Sequence, residues 1–139
     1  MTGIVVVSHS RALAQAAVDL ALQMVRDGAP RIEIAAGIED PGGGTTLGTD
    51  AAAISAAIEA AADDQGVVVL MDLGSAILSA QTALEFLDPE LEGRVHLTFA
   101  PLVEGLVGAV VTAAAGADAD DVAGQAEIAV EAKRLQLGV

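Results

Sequence analysis

His9 and His96 are the only histidines of the chain, and cysteine is absent, so these two imidazoles are its strongest candidate nucleophiles near neutral pH. His9 lies in the stretch GIVVVSHSRALA (residues 3–14), where an apolar run ends and helical spacing begins. A histidine at such a junction lies where α/β proteins carry ligand sites. Two roles fit this position, a nucleophile or base and a structural histidine that only makes a hydrogen bond.

A carboxylate residue, Asp72, follows the apolar run GVVVLM (66–71). Its position after this run is similar to that of His9 after the apolar run at the start of the chain. A carboxylate that accepts a proton from one imidazole nitrogen fixes the tautomer and leaves the lone pair of the other nitrogen free. The two residues therefore predict nucleophilic or base chemistry at His9, with Asp72 orienting the ring. Asp72 is also suited to capping the helix that follows, and the two roles are compatible.

The elements that must position these residues alternate along the chain. Apolar runs predict buried strands, and apolar residues spaced by three or four predict helices. The predicted strands are 4–7, 31–35, 66–71 and 95–100, and the predicted helices are 13–25, 49–62, 75–87, 102–115 and 118–135. Continuous apolar strands that alternate with helices indicate a parallel sheet covered on both faces.

The carboxyl ends of such strands share one edge of the sheet, which is where ligands bind. His9 and Asp72 belong to that edge together with small and polar residues of the same loops. The latter are Ser10, the glycine run 42–44, Thr45, Thr46, Thr49, Gly74, Ser75 and Glu104. The glycine run lacks the Lys-Ser/Thr ending of a phosphate loop, so by itself it does not indicate nucleotide binding.

Composition limits the classes of function. Twenty acidic residues against six basic ones give a net charge of −14, which argues against nucleic acid and against an anionic membrane surface as partners. The longest uncharged stretch, 105–117, is shorter than the roughly 20 residues of a membrane span, and no signal peptide is recognisable. We expect a cytoplasmic chain with a single domain, 1–139.

Four segments together resemble a known family. They are GIVVVSHSRALA, GTDAAAISAAI, GVVVLMDLGSAILSAQTALEFL and APLVEGLVGAVVTAAAG. They look like the phosphotransferase subunit of phosphoenolpyruvate-dependent dihydroxyacetone kinase, which is similar in fold to the mannose-family enzyme IIA domain of the sugar phosphotransferase system. The resemblance covers nearly the whole chain. It implies a three-layer, doubly wound α/β domain with a mainly parallel four-stranded sheet in the order 2-1-3-4 and helices on both faces.

The resemblance also implies a phosphocarrier function. His9 matches the histidine that accepts a phosphoryl group from the phosphohistidine carrier protein. The group then passes to ADP bound on the nucleotide-binding kinase subunit, which supports phosphorylation of dihydroxyacetone. No cofactor and no metal are expected on this chain. The residues expected to stabilise the phosphate, or to lie near it, are Ser10, Gly74, Ser75, Thr45 and Thr46.

The expected partners follow from the same resemblance. Some family members carry further phosphocarrier modules, and this sequence stops at Val139, so a separate donor protein is expected. A homodimer is expected too, with both sides of the first helix buried, including Leu22 and Val25.

A docking surface is expected beside the histidine, which must meet two different partners. Its apolar residues would be Leu47, Leu73 and Ile77. Acidic residues around them would attract basic partners.

Three alternatives remain open. A sugar-specific enzyme IIA domain would use the same phosphohistidine, but such domains usually carry a DLFGGSP-like segment where this chain has DLGSA (72–76). A small cobalt or iron chelatase, which VVVSHSRALA loosely resembles, would need His9 and His96 on one metal, whereas His96 lies inside a predicted strand and is expected to be structural. A passive flavodoxin-like module would bind a phosphorylated ligand through 42–46 and leave His9 inert.

Overall fold

A parallel sheet of four strands forms the centre of the computed structural model, which describes residues 1–139. Along the chain the strands are β1 (Gly3–Ser8), β2 (Ile32–Ala36), β3 (Ile38–Glu39), β4 (Thr45–Thr46), β5 (Val67–Met71) and β6 (Val95–Leu97). The main sheet has the order β2-β1-β5-β6, and all its neighbouring strands are parallel. When only these four strands are counted, this is the predicted order 2-1-3-4. The remaining strands, β3 and β4, form a separate antiparallel hairpin.

Helices lie between the strands and follow the last one. They are α1 (Arg11–Leu22), α2 (Ala51–Ala61), α3 (Gly74–Leu84), α4 (Pro89–Glu92), α5 (Leu102–Ala114), α6 (Ala119–Glu127) and α7 (Glu131–Leu137), with a 3-10 turn, Ile128–Val130, between α6 and α7. None of the helices combines the length and the apolar character needed to cross a membrane.

The sheet is covered on both faces. Ile4 and Val6 of β1 pack with buried residues of α1, α5 and α6, whereas Val5 and Val7 pack with buried residues of α2 and α3. Successive side chains of a strand point to opposite faces, so a strand that is apolar at every position needs a core on each side. Every residue of β1 is buried. The predicted three-layer α/β fold is confirmed.

Small residues bring the layers close together. A Cβ atom at Gly3 would lie 2.1 Å from the carbonyl oxygen of Ala61, so only glycine allows α2 to approach the start of β1 at this distance. This close packing holds β1 rigidly in the centre of the sheet.

The last strand is shorter than the predicted 95–100 and ends at Leu97. Thr98 still pairs with β5 through its backbone, but its side chain turns to the loop: the hydroxyl donates to Glu127 (2.7 Å) and accepts from the Ala100 N–H (3.2 Å). These side-chain bonds compete with continuation of the ladder.

Helix boundaries differ from the prediction at both ends of the chain. The first helix begins at Arg11, because the Ser10 hydroxyl caps it by accepting from the Leu13 N–H (3.2 Å). The predicted helix 118–135 is divided into α6, the 3-10 turn and α7. In the single chain Leu22 is 37% exposed at the edge of the buried face of α1, while Val25 packs against the core, so burial of Leu22 stays a prediction that depends on the expected homodimer.

Two short elements were not predicted, the β3–β4 hairpin and α4. The hairpin has two residues per strand, too few for an alternating pattern to be recognised. By contrast, α4 had a sequence signal: Asp88 caps it by accepting from the Glu90 N–H (3.0 Å), and Pro89 occupies its first turn.

Candidate functional site

The candidate site lies where the two central strands end. Val7 of β1 pairs with Met71 of β5, so the residues that follow them, His9 and Asp72, emerge side by side. The Asp72 N–H donates to the carbonyl oxygen of Val7 (3.2 Å), which continues the ladder to the edge of the sheet. The structure thus brings together the two residues that the sequence singled out from separate apolar runs.

The carboxylate of Asp72 is held by four hydrogen bonds. Its Oδ1 atom lies 2.8 Å from Nδ1 of His9 and accepts from the Leu73 N–H at 2.7 Å. Its Oδ2 atom accepts from the His9 N–H at 3.0 Å and from the Ser8 hydroxyl at 2.9 Å. The Asp72 side chain is only 10% exposed. A carboxylate bonded on all sides in this way has one orientation available to it.

These bonds set the charge of Asp72. Burial acts to raise its pKa, but the hydrogen bonds from the His9 backbone, the His9 ring, Ser8 and Leu73 together hold the pKa of Asp72 below its ordinary value. Asp72 is therefore ionised at neutral pH, and an ionised carboxylate can only accept hydrogen bonds. It follows that Nδ1 of the neutral ring carries the proton and that Nε2 keeps its lone pair.

The other ring nitrogen, Nε2, faces the start of α3. The Ser75 hydroxyl is in hydrogen-bond contact with it, and the His9 side chain is 22% exposed. No side chain caps α3, whose N-cap residue is Leu73, and the N–H groups of Gly74 and Ser75 make no hydrogen bond within the protein. A helix N-terminus with unpaired N–H groups attracts an anion. An anion bound there would lie against the free lone pair of the imidazole.

Ser10 lies on the other side of His9 and has different bonds. Its hydroxyl caps α1, and its backbone N–H donates to the Ser8 hydroxyl (3.0 Å). The N–H of Ser10 is therefore already occupied, while those of Arg11 and Ala12, the first residues of α1, are without partners in the protein.

The segment that follows the β3–β4 hairpin contacts the site. Thr45 and Thr46 pair with β3, and neither makes a hydrogen bond to His9 or Asp72. The chain reaches the site just beyond them, where the Gly48 N–H donates to the carbonyl oxygen of His9 (3.0 Å). Gly48 was not singled out in the sequence, although its φ of +147° favours glycine.

Two further edge residues are bonded elsewhere. Thr49 shares a hydrogen bond with the Ser79 hydroxyl (2.6 Å). Glu104 pairs with Lys133 (2.5 Å), and this bond is the largest of the effects that hold the pKa of Glu104 below its ordinary value. Neither residue makes a hydrogen bond to His9.

His96 lies far from the site. It pairs in register with Val68, which pairs with Ile4, five residues before His9. At about 3.3 Å per residue this separates the two histidines by roughly 16 Å along the strands. The Nε2 atom of His96 instead lies 3.0 Å from Asp120 of α6. The shared metal site required by the chelatase alternative is therefore incompatible with the fold.

Comparison with known proteins identifies the family of the chain and agrees with its fold. The family model described as the PTS system fructose IIA component, EIIA-man, matches residues 3–123. The chain belongs to this family.

Curated relatives narrow the comparison to one kind of subunit. The phosphoryl donor subunit DhaM of the PEP-dependent dihydroxyacetone kinase of Escherichia coli is 51% identical over 139 residues, which are 100% of this chain and 29% of that protein. The subunit of the same name from Klebsiella michiganensis is 48% identical over 139 residues, and the chain spans 29% of its length as well. The DhaM subunit of PEP-dependent dihydroxyacetone kinase 2 from Listeria innocua is of similar length: it is 39% identical over 114 residues, 80% of this chain and 85% of that protein.

Two solved structures share the fold. One, of a protein of unknown function, has a TM-score of 0.74 and 30% identity over 91% of this chain and 94% of its own. The other, a sigma-54 interaction domain protein from Enterococcus faecalis, has a TM-score of 0.67 and 15% identity over 97% of this chain and 95% of its own, and shows the likeness of fold alone.

Proposed function

We propose that the chain is the phosphocarrier of a dihydroxyacetone kinase system. His9 accepts a phosphoryl group from the phosphohistidine carrier protein and passes it to ADP on the nucleotide-binding kinase subunit. The observation that carries this proposal is the orientation of His9, whose Nδ1 is fixed by Asp72 and whose Nε2 faces the uncapped start of α3. The names of the curated relatives, the Listeria subunit of similar length among them, support the choice of kinase system.

The proposed reaction consists of two successive displacements at phosphorus. The lone pair of His9 Nε2 attacks the phosphorus of the donor phosphohistidine, the new N–P bond forms, and the electron pair of the breaking N–P bond returns to the donor imidazole. Asp72 stabilises the positive charge that develops on the His9 ring, as a carboxylate does in a catalytic triad. An oxygen of the terminal phosphate of ADP then attacks the same phosphorus, and the electron pair of the His9 N–P bond returns to Nε2. Such transfers depend mainly on positioning and on electrostatic stabilisation.

The start of α3 supplies the binding energy for the phosphoryl group in this proposal. The unpaired N–H groups of Gly74 and Ser75 and the hydroxyl of Ser75 face the place where the phosphoryl oxygens would lie. Local donors of this kind favour a dianionic group even though the chain carries a net charge of −14. Thr45 and Thr46 are exposed on the hairpin, where the Thr46 hydroxyl donates to the Ile38 carbonyl oxygen (3.5 Å), and in this proposal they contact the bound partner and not the ring.

Exposed apolar residues beside His9 support a docking role. Leu47 is 78% exposed, Leu73 is 63% exposed and Ile77 is 42% exposed. Apolar side chains left in water beside a reactive group are typical of a surface that is covered in a complex. We propose that both partners cover this docking surface in turn and that basic residues at their margins meet the acidic surroundings.

A homodimer is part of the proposal and uses a different surface. Leu13 and Leu20 lie on one exposed stripe of α1, Met24 lies in the turn that follows the helix, and the three residues are 40% to 54% exposed. Their spacing places them on one side of the helix, away from the buried face, so a second copy could cover them together.

The decisive test of the function follows the phosphoryl group through both steps. Incubation with phosphoenolpyruvate and the general phosphotransferase proteins is expected to place one acid-labile, alkali-stable phosphate on each chain. Addition of the ADP-bearing kinase subunit is then expected to yield ATP and unmodified chain. Transfer to a mannose-family sugar transporter in place of ADP would contradict the kinase assignment and favour the sugar-specific alternative.

Replacement of Ser75 by alanine is expected to slow phosphoryl transfer by about 10- to 100-fold, because one hydrogen bond to a charged group, worth about 1.5–3 kcal/mol, is lost in the transition state. The backbone N–H at this position is retained, so the loss should be partial. Rapid-quench measurement with labelled donor checks the rate. Ser79→Ala is the matched control, because Ser79 lies one turn further along α3 and bonds to Thr49. Equal rates in the two variants would rule out a role for the Ser75 hydroxyl.

A further inference from the structure

Ser8 is the one polar side chain of an otherwise apolar strand. The sequence of β1 is GIVVVS, and Ser8 at its end is 0% exposed. A buried hydroxyl costs free energy unless it has hydrogen-bond partners, and an apolar residue would satisfy the packing of a central strand. The partners of Ser8 therefore indicate what its hydroxyl contributes.

The hydroxyl of Ser8 has a fixed direction. The Ser10 N–H donates to Oγ of Ser8 at 3.0 Å, and a backbone N–H can only donate. The hydroxyl proton must then point at its other partner, Oδ2 of Asp72, at 2.9 Å. Backbone pairing with β2 and a hydrogen bond from the Gly37 N–H (3.1 Å) to the Ser8 carbonyl hold the residue in the centre of the sheet.

The Ser8 hydroxyl fixes one oxygen of the Asp72 carboxylate and thereby sets the direction of the other oxygen. Oδ2 of Asp72 is held by the Ser8 hydroxyl and the His9 N–H, which leaves Oδ1 directed at Nδ1 of His9 (2.8 Å). Because the two oxygens belong to one rigid group, rotation of the carboxylate away from the ring would also break the bond to Ser8. The Ser8 hydroxyl is also one of the groups that lower the pKa of Asp72.

We infer that Ser8 is a positioning residue of the phosphoryl-transfer site: its hydroxyl locks the Asp72 carboxylate in the orientation that keeps the proton on Nδ1 of His9 and the lone pair on Nε2. Ser8 does not touch the phosphoryl group in this role and acts through Asp72. The effect on the transfer rate rests on the proposed function, whereas the effect on the tautomer of the free protein does not.

The test compares Ser8→Ala with the wild type and with Ser55→Ala. Ser55 is another buried serine, in α2, and makes no hydrogen bond to Asp72. Nitrogen-15 NMR of histidine-labelled protein reports the tautomer of His9, and the signal of His96 is assigned by its loss in His96→Gln. In the wild type and in Ser55→Ala, we expect the Nδ1–H tautomer, whereas Ser8→Ala should show an increased share of the Nε2–H tautomer.

Two further measurements separate positioning from general destabilisation. Carbon-13 titration of the Asp72 carboxyl should show a higher pKa in Ser8→Ala, because a donor to the ionised form is gone. Phosphoryl transfer should slow by about tenfold, as expected for the loss of one hydrogen bond of about 1.4 kcal/mol. Ser8→Thr, which keeps the hydroxyl, should restore the tautomer and the rate.

The outcomes are distinguishable. An unchanged tautomer and an unchanged Asp72 pKa in folded Ser8→Ala would overturn the inference, even if the transfer rate fell. A wild-type protein that never accepts a phosphoryl group would overturn the proposed function, while the tautomer measurement would still decide the role of Ser8.

Discussion

Replacement of His9 by alanine is expected to abolish phosphorylation of the chain and all transfer from phosphoenolpyruvate to the kinase. No other side chain at the edge of the sheet is a comparable nucleophile: the remaining groups near the site are hydroxyls, carboxylates and the guanidinium of Arg11, and the chain has no cysteine. The loss should be at least about a thousandfold, since nucleophilic catalysis leaves no parallel route when the attacking atom is missing. Phosphate incorporation and ATP formation measure the two steps separately.

The fold should survive this substitution. The His9 ring is partly exposed and lies outside both core clusters, so its removal leaves no cavity in the core. Thermal unfolding of His9→Ala checks this point. His9→Gln should fail equally in transfer, because an amide nitrogen has no available lone pair to attack phosphorus.

His96→Gln is the matched control for His9. His96 pairs with Asp120 at the other end of the strands, and it should be dispensable for transfer. A His9→Ala protein that still supports phosphorylation of dihydroxyacetone from phosphoenolpyruvate would overturn the proposed mechanism.

The layered fold was predictable because its signal is strong in the two central strands. A strand that is apolar at each position, as β1 and β5 are, must be buried on both faces, and helices between such strands imply parallel pairing. The strand-end rule then placed His9 and Asp72 at one edge without any knowledge of distances. Their direct proximity depended in addition on the strand order 2-1-3-4, which the family resemblance implied and which makes β1 and β5 neighbours.

What could not be predicted depends on side-chain directions and on short elements. Nothing in the sequence distinguishes the hydroxyl of Ser8, which bonds to Asp72, from that of Ser10, which caps a helix. The same holds for Thr45 and Thr46, which pair in a hairpin of two residues per strand and make no hydrogen bond to the ring. Such details depend on single rotamers and turns, for which no periodic pattern exists.

The ionised carboxylate of Asp72 has both a structural role and a role in the proposed chemistry. Its four hydrogen bonds come from β1, from the residue after it and from the start of α3, so the same carboxylate ties two strand ends together and sets the tautomer of His9. A substitution at this position should therefore alter the transfer rate and the stability in ways that pH can separate.

Asp72→Asn is expected to slow phosphoryl transfer by about a hundredfold or more. The amide can present an N–H group to Nδ1, which would favour the tautomer with the proton on Nε2 and remove the lone pair from the attacking atom; a wrong tautomer of this kind costs about 10⁴-fold in a catalytic triad. Asp72→Ala, which imposes no tautomer, should lose less. Rapid-quench rates and the nitrogen-15 spectrum of His9 measure both effects, and an unchanged rate in Asp72→Asn would leave Asp72 with a structural role only.

The difference in free energy of unfolding between the wild type and Asp72→Asn should decrease as the pH falls. Because the pKa of Asp72 is lower in the folded chain than its ordinary value, the ionised carboxylate contributes stability at pH values above the unfolded pKa of about 3.9. That contribution should be lost as the pH falls through the folded pKa, where the carboxylate gains a proton and can no longer accept all four bonds. At pH 7 the wild type should be more stable by about 1–3 kcal/mol, the cost of leaving buried donors unpaired. Urea unfolding of both proteins from pH 7 down to about pH 3 checks the sign: a difference that stays constant or grows towards acid pH would contradict the charge assigned to Asp72, and with it the tautomer on which attack by His9 depends.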